Sequence, residues 1–253
     1  MANVVSRYTT VNEIINRVAA AVGLTPVSDP FNSNDDNFIQ MLYLLDNAGQ
    51  DLIYENVWQR LVKDWSITTD STVTTPTDQS LGQYALPADF AYLVNDTGWD
   101  TSNQLPLGGP LSNQDFAHLK GRGLSDQTVY VSYQINDNEL WLFPQPPSNG
   151  QVLTFRYCSR YWLDQGGNGV DFADRAQTGA DIVMYDQMMM IHRLKYEWLE
   201  AKGFPSQIAN KDYVRAFGRV TGRDIGAQTI NLACRTGNFP YLGTNNIPDT
   251  NFG

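Results

Sequence analysis

The chain has 253 residues, of which 42% are hydrophobic and 12% aromatic, and its formal net charge is −10 at pH 7. This composition excludes an intrinsically disordered protein and favours a chain that buries a sizeable core. No apolar run reaches the ~20 residues that a membrane-spanning helix needs, and residues 1–7 lack a signal-peptide pattern, so we expect a protein made in the cytoplasm with no membrane partner.

The charge is divided unevenly along the chain. Residues 1–110 contain four Lys/Arg and thirteen Asp/Glu, a net of −9, whereas residues 190–225 contain seven and four, a net of +3. An acidic body lacks the cations that phosphate contacts require, which argues against a conventional DNA-binding protein. It suits either solubility alone or a surface past which DNA slides without being bound, because like charges repel.

Two helices are predicted in the N-terminal part, residues 1–64. Thr10 and Glu13 form a capping box at the start of the first helix, and Gly23 is placed to end it. The second helix begins with acidic residues, which favour the positive end of the helix dipole. It is predicted to run to about Lys63, because apolar residues keep a helical spacing up to that point.

Residues 65–163 are predicted to form a small antiparallel β-rich insert, because short Thr-rich or alternating segments are separated by Pro, Gly and Asn turns. Asn136 and Asn138 border a tight turn that makes a hairpin of two of these strands. The predicted extended segments are 66–75, 84–94, a strand centred on Trp99, 128–135, 140–143 and 152–157, with a short helix at 112–120.

Helical sequence returns in the C-terminal part, residues 164–226. A helix is predicted over 180–202, with apolar residues on more than one face, as expected for a helix buried within a bundle or an assembly. Gly203 ends it, and a last helix follows over 206–223. The predicted fold class is therefore α+β: a helical-bundle body of two N-terminal and two C-terminal helices, a β-rich insert, and an extended C-terminal tail over 227–253.

A basic ridge is predicted on the last helix. Spacing of four residues places its members along one edge, which either is simply solvated or pairs with an acidic protein surface, such as the acidic N-terminal half of an adjacent copy. Nucleic-acid binding would require more positive charge and interleaved aromatic residues. The ridge consists of Lys211, Arg215, Arg219 and Arg223.

The predicted tail has only two charged residues, Arg235 and Asp249, although it contains several large apolar side chains. Exposed to water, such side chains would form an unfavourable surface, so the tail either folds back on its own domain or docks on a neighbouring protein. In the second case the candidate contacts with the neighbour are Phe239, Tyr241, Leu242, Ile247 and Phe252.

No enzyme signature is recognisable in the chain. His118 and His192 are far apart in sequence, and no nucleophile elbow, zincin, Walker A or dinucleotide-binding pattern is present. Cys158 and Cys234 lack metal-ligand spacing and are free thiols or form a single disulfide. We therefore expect a protein that is not an enzyme, with no catalytic residue, no metal ligand and no cofactor.

Two alternatives keep a chemical or ligand-binding role open. Four carboxylates in and around a Gly-rich segment either are solvated loop residues or hold Mg²⁺ or Ca²⁺ for hydrolysis; they are Asp164, Asp171, Asp174 and Asp181. Trp99, Trp141 and Trp162 could form stacking platforms for a glycan, but their strand-like surroundings favour burial.

The order and spacing of these elements resemble the head-to-tail adaptor (connector) proteins of tailed bacteriophages, the tail tubular protein A-like family. The most specific matching pieces are Leu-Pro-Ala-Asp-Phe at residues 86–90 and Leu-Trp-Leu-Phe-Pro-Gln-Pro-Pro at residues 140–147. A strand containing Tyr157, the late helical pair and the C-terminal extension follow in the same order. The family has no catalytic motif that could be compared.

The resemblance implies a virion structural protein at the head–tail junction, assembled in the host bacterial cytoplasm. Such adaptors form a homo-oligomeric ring, commonly of twelve copies, below the portal protein. The helices would form the ring body, the β-insert would face the tail nozzle or tube protein, and the extension would reach the portal. The ring would extend the channel for genomic DNA without binding it specifically. Another virion ring protein, for head completion or tail termination, would share this composition.

Overall fold

A computed structural model describes residues 8–75, 77–121, 131–145 and 147–224. Across these ranges the chain is α+β, as predicted, with five α-helices and three antiparallel sheets. The helices are α1 (Val11–Ala21), α2 (Asp36–Glu55), α3 (Asn113–Gly121), α4 (Gln187–Ala201) and α5 (Gln207–Asp224). The strands are β1 (Val62–Thr68), β2 (Gln83–Ala85), β3 (Phe90–Leu93), β4 (Trp99–Asp100), β5 (Leu105–Pro106), β6 (Ser132–Asn136), β7 (Glu139–Phe143), β8 (Val152–Ser159), β9 (Leu163–Asp164), β10 (Phe172–Ala173) and β11 (Ile182–Val183).

The start of α1 confirms half of the predicted capping box. The Thr10 hydroxyl accepts a hydrogen bond from the Glu13 amide at 3.3 Å, and Gly23 follows the helix in a left-handed conformation. The Glu13 carboxylate, however, accepts hydrogen bonds from Arg17 and Gln187. It therefore links α1 to α4 instead of returning to the cap.

The prediction that the second helix reaches Lys63 is wrong, because α2 ends at Glu55 and Lys63 lies in β1. The backbone is extended at Asn56, and the buried Trp58 indole donates a hydrogen bond to the Leu52 carbonyl at 2.6 Å. This bond satisfies a carbonyl near the end of the helix. The apolar spacing continues beyond the helix because the following turn places further side chains in the same core.

The largest sheet is organised around β8. This strand pairs with β1 along seven residues on one side, and β3 and β4 share its other side, with β5 extending the sheet from β4. A second sheet has the order β2–β7–β6 and contains the predicted hairpin, which turns at Asp137 with φ +54. The predicted short helix is also present as α3, where the Ser112 hydroxyl accepts from the Asp115 amide.

The start of the third long helix also differs from the prediction. Residues 180–186 are not helical: Ile182 and Val183 form β11, which pairs with β9, and the Val183 amide donates to the Thr9 carbonyl. The helix α4 begins only after Asp186, whose carboxylate accepts from the amides of Met188 and Met189. The last helix, α5, lies within one residue of its predicted bounds.

Two hydrophobic cores share the strand β8. One core lies among α1, α2, α4 and α5, and α4 packs against each of the other three helices. This core also includes Cys158 and Trp162. The other core lies between the β-sheets and includes Phe155 and Tyr157. Alternation along β8 therefore connects the two cores, because successive side chains of a strand point to opposite faces.

Candidate interaction surfaces

The basic ridge is exposed on α5. All four of its side chains are exposed, whereas Ala209, Tyr213 and Ala216 on the opposite side of the helix are buried. Each step of four residues rotates the ridge by about 40° around the helix axis. Within the part of the chain that the structure describes, no acidic side chain forms an ion pair with the ridge.

Apolar side chains accompany the ridge. Ile208 is 79% exposed and Val214 is 59% exposed, and helical spacing places each of them beside Lys211. Phe204, in the loop before α5, is also largely exposed. Sequence reasoning attended to the ridge charges and missed these residues, although their positions opposite the buried face of the helix were a usable signal. The outer surface of α5 thus combines positive charge with apolar area.

A second exposed apolar surface lies on α2, and we call it the α2 stripe. Its members are Ile39, Tyr43 and Tyr54, of which Tyr43 is 66% exposed. They point away from the buried ladder that contains Phe38 and Met41. Ile39 and Tyr43 lie about one helical turn apart and are neighbours, whereas Tyr54 stands near the other end of the helix.

An acidic groove of about 350 Å³ lies between α2 and α4. Three carboxylates belong to it, and no described residue of α5 lines it. The lining residues are Leu44, Asn47, Asp51, Glu197, Glu200 and Ala201. The ridge and the groove are therefore separate surfaces of opposite charge on one chain.

Arg193 neutralises part of this acidic region from within the chain. Its guanidinium contacts Glu197, lies 3.1 Å from a Glu55 oxygen and 3.4 Å from an Asp51 oxygen, and donates to the Tyr213 hydroxyl. Burial is the largest influence on the Arg193 pKa and lowers it, but the surrounding acids outweigh burial and raise the pKa. The cation is permanent, yet it leaves an excess of carboxylates at the groove.

The Leu-Pro-Ala-Asp-Phe segment makes hydrogen bonds inside the protein and does not form an exposed site. Asp89 is buried and accepts hydrogen bonds from Lys63 at 2.6 Å, Tyr157 at 2.8 Å and Ser159 at 2.7 Å. Burial is the largest influence on the Asp89 pKa and raises it, but these three donors together lower it below the ordinary value. One carboxylate thus joins the entry to β3 with β1 and β8.

The second specific segment also serves the core. Leu140 and Leu142 of β7 are buried between the β-sheets. Phe143 is also buried, but its ring contacts Phe116 of α3, as does the ring of the half-buried Trp141, which donates to the Glu139 carboxylate. The predicted burial of the tryptophans holds for Trp162.

Trp99 departs from that prediction. It is 37% exposed, because the two-residue strand β4 leaves it at the sheet surface. Trp162, by contrast, is fully buried and so offers no stacking platform for a glycan.

The aspartates of the Gly-rich segment face hydrogen-bond donors. Asp181 is 1% exposed and accepts from three amides and from the Thr178 hydroxyl. Burial is the largest influence on its pKa and raises it, but these hydrogen bonds together lower the pKa. Asp164 accepts from the Gly169 amide, Asp171 from Asn168, and Asp174 pairs with Arg160. Among the described residues, no group of three or more His, Cys, Asp or Glu is placed to hold a metal ion.

Neither histidine belongs to the ridge or lines the groove. His118 is exposed on α3 and His192 is half-buried on α4. Cys158 is buried, and burial raises the pKa of its thiol, which disfavours the reactive thiolate. Cys234 and the five apolar residues of the predicted tail lie outside the described residues.

The described residues thus expose the basic ridge, the acidic groove and the α2 stripe. Comparison with known families gives the class: residues 9–225 match the family described as SU10 adaptor protein, and the chain belongs to this family of phage adaptors. The match includes every described helix and strand. A search of curated proteins finds no match.

Family membership implies a structural role in the virion, with portal and tail proteins as partners. None of the helices in the described ranges has both the length and the apolar character that crossing a membrane would take.

Proposed function

We propose that this chain is the subunit of a head-to-tail adaptor ring of twelve copies, similar to the tail tubular protein A-like adaptors. The ring lies below the portal, extends the channel for genomic DNA and provides the platform on which the tail nozzle or tube docks. The observation that carries the proposal is the match to a phage adaptor family over residues 9–225. The protein is then a structural component and not an enzyme.

The separation of charge supports a ring. A closed ring requires a heterologous interface, in which one surface of each copy meets a different surface of the next. The exposed basic ridge on α5 and the acidic groove between α2 and α4 are two such surfaces on one chain. The net charge of −10 further suits a channel wall that passes DNA without binding it.

In this proposal the helices form the ring body and the β-rich insert faces the tail. The C-terminal extension reaches the portal, with Phe239, Tyr241, Leu242, Ile247 and Phe252 as its contacts. Support for the extension comes from its composition, because five large apolar side chains accompany only two charges. Burial of such side chains against a partner removes apolar surface from water.

A native mass measurement on the full-length chain tests the proposal. We expect the portal protein to convert the chain into a complex that contains a closed ring, and the tail tube or nozzle protein to join that complex. A chain that stays monomeric in the presence of the portal would contradict the ring. A ring that binds the tail tube but not the portal would instead identify a tail-terminator protein.

The contribution of the extension is tested separately. The double variant Phe239→Ala/Tyr241→Ala should weaken portal binding and virion assembly, because it removes two of the five apolar contacts. Asn245→Ala/Asn246→Ala, in the same segment, is the matched control and should bind the portal as the unaltered chain does. Equal portal binding by both double variants would remove the extension from the proposal.

A further inference from the structure

We propose that the basic ridge of one copy docks in the acidic groove of the next copy, with the apolar side chains of α5 and the α2 stripe closing the contact. This inference rests on the proposed function, because it specifies the interface by which the adaptor ring closes. It names two surfaces on different helices of the chain, and each copy offers both.

The ridge has an electrostatic cost for the helix that carries it. Lys211, Arg215, Arg219 and Arg223 form three successive like-charge pairs at a spacing of four residues, and such pairs destabilise a helix. No described acidic side chain pairs with any of them. A negatively charged partner surface would offset this repulsion, which gives the ridge a reason to face one.

The second argument is that the groove has unneutralised carboxylates. Arg193 is the one cation that pairs with the groove carboxylates among the described residues, and it contacts Glu197 and Asp51. Glu200 is exposed and forms no ion pair within the described ranges. Three carboxylates against one cation leave the groove acidic, and its volume of about 350 Å³ accommodates a long basic side chain.

The third argument is the apolar area beside both charged surfaces. Ile208 and Val214 flank the ridge, and Tyr43 lies one helical turn before Asn47 of the groove, on the same face of α2. Protein interfaces commonly bring apolar area and polar groups together in one patch. The ridge with its two apolar neighbours and the groove with Tyr43 each have this composition.

A second copy is the occupant that fits best. The described part of α5 shows no exposed aromatic residue within the ridge, which single-stranded nucleic acid would stack on. The complementary acidic surface is present on the same chain and does not involve α5. After the first contact one copy still offers a ridge and the other a groove, so the contact propagates, and it closes as a ring when the rotation between copies closes.

Charge reversal on each side tests the interface in the full-length chain. Arg215→Glu places a negative charge on the ridge, and Glu200→Lys places a positive charge at the groove. Each variant alone should associate at least about tenfold more weakly than the unaltered chain, with or without portal, because like charges then meet. A 1:1 mixture should recover assembly, since every contact in an alternating ring again joins opposite charges.

Matched controls use the same charge changes elsewhere. Lys120→Glu on α3 and Asp64→Lys on β1 alter exposed residues of the β-rich part and should assemble as the unaltered chain does. Sedimentation velocity gives the assembly state, and thermal unfolding of the monomeric fraction shows whether each variant is folded. Association should also weaken as salt is raised, because the contact is electrostatic.

The outcomes separate the interface from the function. If Arg215→Glu and Glu200→Lys assemble normally while the unaltered chain forms rings, the ridge–groove contact is wrong and the adaptor function stands. If both variants fail but their mixture also fails, the ridge meets another partner, such as the portal, DNA or the C-terminal segment of the same chain, and the inference is overturned. If the unaltered chain forms no ring even with portal, both the interface and the proposed function fail.

Discussion

One buried acid of the β-rich part and the basic ridge of the helical part show opposite uses of charge. In the β-rich part, the acid of the most specific sequence segment, Asp89, is buried and bonded to three donors. In the helical part, the basic ridge is exposed and has no described acidic partner. The recognisable segment around Asp89 therefore maintains the fold, whereas the ridge, which has no motif, is exposed.

The residues that make the family recognisable therefore differ from the residues that we propose to act in assembly. A carboxylate that must accept from Lys63, Tyr157 and Ser159 at once has a fixed environment, so its segment is easy to recognise. A ridge requires only charge at helical spacing, and its meaning depends on the partner it meets. We therefore expect substitutions in the first region to change stability and those in the second to change assembly.

The largest expected effect is on Asp89→Ala, which should lower the free energy of unfolding by about 3 kcal/mol. The substitution leaves the buried hydroxyls of Tyr157 and Ser159 without their acceptor. Chemical denaturation measures the loss. Asp64→Ala is the control: Asp64 lies on β1 in an exposed pair with Arg156, and its removal should cost less than about 0.5 kcal/mol. Equal losses for the two variants would refute the role given to Asp89.

The next largest effect is the change in the free energy of unfolding when Gly is replaced by Ala at two helical positions, where we expect opposite signs. A Cβ at Gly49 would overlap the ring of Trp162, so Gly49→Ala should lower the free energy of unfolding by about 2 kcal/mol. A Cβ at Gly218 on α5 meets nothing within 4 Å. Gly218→Ala should therefore raise the free energy of unfolding by about 0.5–1 kcal/mol through helix propensity. Thermal unfolding of both variants measures the two changes in stability. A stabilising Gly49→Ala would contradict the prediction and show that the Trp162 ring can move aside.

A smaller effect is the pH dependence that Asp89 contributes. Its pKa is lowered in the folded state, so in acid the unfolded state binds more protons and stability decreases as pH falls. The contribution is complete above the ordinary Asp pKa of ~3.9 and is lost as pH falls through the folded pKa. The stability difference between the unaltered chain and Asp89→Asn should therefore be constant near neutrality and shrink below about pH 4.

Denaturation curves at a series of pH values measure this difference. Some acid sensitivity will remain in Asp89→Asn, because Asp181 also has a lowered pKa. Asp46 and Glu197 contribute with the opposite sign, since burial, their largest influence, raises both pKa values. A difference that stays constant down to pH 2 would mean that the Asp89 pKa is not lowered.

The parts of the fold that could be predicted from the sequence are those with local causes. The Thr10 cap, the turn at Asp137 and the bounds of α5 depend on neighbouring residues, and all three are observed. The ends of α2 and α4 depend on distant contacts. Helical spacing continues past Glu55 because later side chains enter the same core, and Ile182 leaves the predicted helix to pair with β9.

The candidate surfaces divide in the same way. Spacing alone is enough to place the ridge on one edge of a helix, and its side chains are exposed. The acidic groove could not be predicted, because Asp51 meets Glu197 and Glu200 only when α2 packs against α4. Trp99 was expected to be buried, but the exposure of a strand residue depends on what covers its face, which spacing does not reveal.

The smallest expected change in the free energy of unfolding gives the clearest distinction between the Asp89 segment and the ridge. Arg215→Glu should raise the free energy of unfolding of the monomer by up to about 0.5 kcal/mol, because two repulsive pairs, with Lys211 and Arg219, become attractive, while one repulsive pair, with Asp212, is created. The same substitution should abolish assembly if the ridge meets the groove of another copy. Chemical denaturation of dilute monomer measures the first effect, with Lys120→Glu as the charge-matched control. A loss of stability larger than about 1 kcal/mol would contradict this prediction, since the ridge would then have a partner within its own chain. A gain of stability together with lost assembly would instead show that the helix is less stable than it could be because assembly requires its basic residues.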